Sequence, residues 1–172
     1  MGTRLGHTLQ SISLMFCFSA LALGQQPNGA WKEYVYKKDG FAVTVPSAPI
    51  RHADPQIPRT TNYDVSFEEG PFRIGVVDQN RDCRATLSEL KTRLLSGKQP
   101  GADMSSVKEI TVAEHSAMEF RHRVANETRY ERYVCGNGGF YYFFYAKWPI
   151  NKSMPASVNR ILSSFRLLPN TT

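Results

Sequence analysis

The chain has 172 residues and a mass of 19.4 kDa, enough for one domain and short for two. Hydrophobic residues make up 41% and charged residues 21%, which excludes a wholly disordered chain. The 12 glycines and 10 prolines are too few for a collagen-like or low-complexity polymer, and a net charge of +6 is too modest to argue for a nucleic-acid partner.

Residues 1–24 read as a secretory signal peptide. Arg4 supplies the positive start and Leu14 to Leu23 the apolar middle. Ala22 and Gly24 are the small residues a signal peptidase reads, so cleavage is expected before Gln25. A secreted or periplasmic location follows. Removing 24 residues leaves 148, and because Arg4 is the only charged residue lost, the charge becomes +5. No later apolar stretch approaches the ~20 residues that a membrane-spanning helix needs. Two cysteines remain, Cys83 and Cys135, and in an exported chain an even pair points to a disulfide; two buried free thiols are the alternative. The expected organisation is a flexible leader over 25–30, a single domain over 31–168 and a disordered tail over 169–172.

In chain order, Trp31 to Tyr36 suggests a strand, Asp39-Gly40 a turn, and Phe41 to Val45 a strong strand ended by Pro46. Pro46 to Asn62 carries four prolines and is expected to be an irregular loop, with Arg51 and His52 solvated on it. Tyr63 to Phe67 and Phe72 to Val77 form a hairpin around Glu69-Gly70-Pro71. Thr86-Leu87-Ser88-Glu89 has the capping-box pattern. It opens a helix whose Leu87, Leu90 and Leu94 share one face, with Gly97 as its stop. Lys98 to Ser106 reads as a loop and Val107 to Val112 as a strand. His115 to Val124 and Thr128 to Cys135 are strands turning at Asn126-Glu127. After Gly136 to Gly139, the run Phe140 to Ala146 is apolar on both faces, the mark of a central strand covered on both sides. Ser153-Met154-Pro155 opens a last helix carrying Val158, Ile161, Leu162 and Phe165. The predicted class is α+β: an α/β/α sandwich with a largely antiparallel sheet of about 6–8 strands and two main helices.

This layout resembles the PsbP-like superfamily. Tyr36 to Pro46, with Gly40-Phe41 leading a strand into proline, looks like the family's opening. Gly139 to Ala146 looks like its late apolar strand, and Ile161 to Arg166 like its closing helix with a terminal Ser-Phe. The likeness spans nearly all of Trp31 to Leu168 as an order of elements. It implies a mostly non-enzymatic role, as an assembly factor, stabilising subunit or exported accessory protein. The Cys83/Cys135 pair departs from the family pattern, and no functional motif of the family is matched.

Signatures of catalysis are missing. There is no Gly-Xaa-Ser-Xaa-Gly elbow and no phosphate-cradling glycine loop, since Gly136 to Gly139 precedes a strand rather than a helix. His52, His115 and His122 have no metal-ligand spacing, and Glu68 and Glu69 point apart. No catalytic residue, cofactor or metal is expected. With the hairpin centred on Asn126, Arg123 would face Arg129 and Arg121 would face Glu131. Arg121, Arg123 and Arg129 would then line a cationic strip beside Tyr133. Such a strip suits an acidic surface on another envelope or secreted protein, so the leading reading is an exported interaction or assembly module. The alternatives are a small-ligand carrier, with a pocket under the Pro46–Asn62 loop lined by Tyr63 or Trp31, and, behind it, an unrecognised hydrolase.

Overall fold

Alternation with period two builds most of this chain, and it closes into two antiparallel sheets. The computed structural model describes residues 30–78, 82–96 and 102–169. The proposed signal peptide, most of the leader, the Gly97 stop and residues 170–172 of the tail lie outside the described residues. The elements run β1 (Lys32–Tyr36), β2 (Phe41–Val45), β3 (Ile50–Ala53), β4 (Thr60–Phe67), β5 (Gly70–Asp78), α1 (Cys83–Leu95), β6 (Ala102–Val112), β7 (His115–Val124), β8 (Glu127–Cys135), β9 (Phe140–Pro149), α2 (Ala156–Ser164) and β10 (Arg166–Leu167). The larger sheet has seven strands in the order β3-β4-β5-β9-β8-β7-β6, and the smaller has three, β1-β2-β10. The apolar strand β9 is the middle strand of the seven, as its sequence predicts.

The two faces of the large sheet are covered unequally. On one, Tyr142, Phe144, Ala146 and Trp148 of β9 join Tyr63, Ile74, Tyr130 and Val134 in a fully buried core. Val158, Ile161 and Leu162 of α2 and Phe41, Val43 and Val45 of β2 pack into it. Phe165 seals the junction, its ring edge-on to Phe144 at 4.7 Å and to Tyr142 at 5.4 Å. On the other face, Leu87, Leu90 and Leu94 of α1 rest on Met118, Phe120 and Cys135, chiefly over the β6–β8 half, with Tyr141 of β9 at the margin. Consequently Tyr141, Phe143 and Tyr145, on the second face of β9, are only half-buried. The layered arrangement holds, but the second face of the middle strand is roofed along one side alone.

Three local expectations are corrected. The Pro46–Asn62 segment is not an irregular loop throughout: β3 pairs with β4 from Ile50↔Asp64 to Ala53↔Thr61. An edge strand needs only main-chain partners, so its sequence need not alternate. The Lys98–Ser106 stretch likewise enters β6 at Ala102, with a register shift between Asp103 and Lys108. Helix α1 starts one turn earlier than the capping box predicts. Asp82 is its N-cap, accepting from the Arg84 amide at 2.9 Å, while Thr86 sits inside the helix and donates to the Asp82 carbonyl.

Cys83, the first residue of α1, is bonded to Cys135, the last of β8, with Cα atoms 5.6 Å apart. The bridge closes a loop of 52 residues. Replacing both cysteines by serine is expected to lower the unfolding free energy by roughly 4 kcal/mol, read as a shift in the urea midpoint. An unchanged midpoint would mean that the bond does not constrain the unfolded chain.

The candidate site: a tyrosine-floored cleft beside α1

The half-roofed face produces a cleft of about 530 Å³ along the exposed flank of α1. Its helix wall carries Thr86, Glu89, Leu90 and Arg93, a set at helical spacing that faces one side. Its floor is Tyr133, Phe143, Tyr141 and Val77 from β8, β9 and β5. Ile57, exposed on the β3–β4 connection, closes the far side.

Cross-strand register explains the floor. The row Met118–Tyr133–Phe143–Gly75–Asn62–His52 runs straight across six strands of the sheet. A Cβ on Gly75 would overlap the Phe143 ring, so the absent side chain is what lets that ring settle onto the sheet. Tyr133 stacks between Phe120 and Tyr141, with centroids 5.9 Å and 5.6 Å away. The phenols are held in their neutral form. Burial pushes the Tyr133 hydroxyl well above its ordinary value, helped by the Glu131 carboxylate to which it donates. Burial also raises Tyr141, with Glu131 adding to the rise and the Arg93 guanidinium opposing it. The Tyr141 hydroxyl meets no hydrogen-bond partner among the described residues, and Arg93 meets no carboxylate partner there. Behind the floor, His122 Nε2 lies 2.9 Å from Glu131 Oε1, close but not aligned as a hydrogen bond.

The proposed cationic strip is rearranged. The β7–β8 turn is the two-residue Ala125–Asn126 loop, with Ala125 at φ 50, so Val124 pairs with Glu127. Arg121 then faces Tyr130, Arg123 faces Thr128, and Arg129 faces His122. A one-residue change of register moves each side chain to the opposite face. Arg121 and Arg123 are exposed on the face shared with Tyr130, whereas Arg129 and Tyr133 lie on the α1 face. Tyr133 is thus brought to the cleft, and the three arginines are not brought together. Tyr63 and Trp31 do not line it either: Tyr63 is buried on the opposite face, bonded to Asp39, and Trp31 lies under the Arg160 guanidinium at 4.1 Å. Sequence reasoning missed Arg93 and Tyr141. The signal for Arg93 was the 86-89-90-93 spacing on the helix; the signal for Tyr141 was its place on the second apolar face of β9.

No protein-family profile matches the sequence, and no curated protein does so at a significant level. Solved structures do match. Cyanobacterial PsbP (CyanoP) from Synechocystis sp. PCC 6803 is similar with a TM-score of 0.57 at 12% identity, over 84% of this chain and 96% of that one. A Bacteroides thetaiotaomicron protein is similar with a TM-score of 0.50 at 12% identity, over 83% of this chain and 50% of that one. The chain therefore has a PsbP-like fold, as its order of elements predicts.

Two ion-paired carboxylates contribute to the acid response. Asp64 is held below its ordinary range by hydrogen bonds from Arg73 (2.6 and 3.1 Å), against the opposing effect of burial. For Glu119, burial pulls upward but is outweighed by donors Tyr130 and Arg132, leaving it below the usual range. A carboxylate whose folded pKa is depressed stabilises the fold above its unfolded pKa and loses that contribution as pH falls. Stability should therefore be flat above about pH 5 and drop below about pH 4. Glu119→Gln should cost about 1–2 kcal/mol at pH 7 and flatten the acid slope between urea titrations at about pH 7 and about pH 4. An unaltered slope would show that Glu119 does not carry it.

Proposed function

We propose that this chain is an exported, non-catalytic accessory domain that acts as an interaction module, gripping its partner at the cleft beside α1. The observation that carries this reading is the half-open cleft itself: an aromatic floor, a mixed polar and apolar helix wall, and in Arg93 a cation without a carboxylate partner among the described residues. Neutral phenols and an aromatic floor suit recognition more than proton transfer. The titratable group nearest to a catalytic arrangement, His122–Glu131–Tyr133, includes no serine or cysteine nucleophile, and Cys135 is held in its disulfide. The disulfide supports an oxidising compartment. The basic balance and Arg93 suit a secreted or envelope protein with an acidic surface.

A second reading, a small-ligand carrier, is favoured by the volume of the cleft, which falls in the range of roughly 300–1,000 Å³ usual for ligand sites. Under the leading reading, capture from an extract of the exported compartment should lose its specific partner on the order of tenfold with Arg93→Glu. The double variant Arg121→Glu/Arg123→Glu on the opposite face should retain it. Loss with the double variant alone would move the contact to that face, and retention by both would remove the cleft from the interaction.

A further inference from the structure

We infer that the cleft recognises a carboxylate attached to a flat apolar group, either a small aromatic acid or the free C-terminus of a partner chain ending in an aromatic residue. This rests on the cleft being the binding site and names what it binds. Two donors at the site have no acceptor among the described residues: the Arg93 guanidinium and the Tyr141 hydroxyl. Glu89 lies one helical turn before Arg93, the spacing at which a glutamate commonly bridges to a basic residue, yet the two do not form an ion pair. Arg93 and Tyr141 line the same cleft, where the Arg93 guanidinium opposes the stronger effect of the Glu131 carboxylate on the phenols.

A guanidinium fork and a neutral phenol together match the acceptor oxygens of a carboxylate. The rings of Tyr141 and Phe143, backed by Tyr133, offer a floor on which a flat group stacks. Leu90 and Ile57 close over its apolar edge. A bare anion would leave that apolar surface uncovered, and a neutral apolar ligand would make no use of the two donors, so a ligand carrying both features matches the cleft best.

The test is an NMR titration of the disulfide-bonded protein with 2-naphthoate and its neutral analogue 2-naphthalenemethanol. A second pair of probes is acetyl-Gly-Gly-Phe with a free carboxylate and the same peptide amidated. At least one acid should perturb the Leu90, Tyr141 and Phe143 amides and bind about tenfold more tightly than its neutral counterpart. Arg93→Gln should abolish that preference and Tyr141→Phe should reduce it, while Lys38→Gln, a matched charge loss elsewhere, should leave it unchanged. Preference for the naphthoate identifies a free small acid as the source, and preference for the peptide acid a partner chain. Equal binding of acid and neutral probes, or a preference that survives Arg93→Gln, overturns the carboxylate recognition while leaving the cleft as a binding site. No binding of any probe overturns the inference, and the capture experiment with Arg93→Glu then decides separately whether the cleft takes a protein surface.

Discussion

A single covalent constraint governs where this molecule is open. The bond between Cys83 and Cys135 ties the first turn of α1 to the end of β8, so the helix must begin over the β6–β8 half of the sheet. Leu87, Leu90 and Leu94 then complete its seating on Met118 and Phe120. The hydrophobic effect alone would favour a helix over the most apolar strand, β9. The tether holds it to one side instead, and the aromatic residues of that strand become a floor.

Much of the fold was legible because period-two alternation and turn chemistry agree with each other. The alternation of His115 to Val124 marks β7 to its observed boundaries, the two-sided apolar run after Gly139 marks the middle strand, and Leu87, Leu90 and Leu94 mark the packed side of α1. Edge strands were harder to see. Ile50 to Ala53 is held by main-chain pairing to β4, and pairing of that kind leaves little trace in side-chain pattern.

The site was less legible than the fold, for a reason of parity. The sequence Ala125-Asn126-Glu127 suggests a hairpin centred on Asn126, because alanine is not a residue that advertises a positive φ. The actual two-residue turn places Arg129 and Tyr133 on one face and Arg121 and Arg123 on the other. Sequence can nominate arginines and tyrosines, but which of them share a surface depends on a backbone choice at one ordinary residue. Arg93 and Tyr141 lie 48 positions apart in sequence and meet only through the cleft.

Gly75 is not part of the cleft wall, yet the depth of the cleft is decided there. Phe143 occupies the space that any larger residue on β5 would claim, so even one added methyl group would jack the ring upward and fill the hollow from beneath. The capacity of this surface is therefore written partly in a missing atom on a neighbouring strand, where a search confined to the residues in contact with a guest would never look.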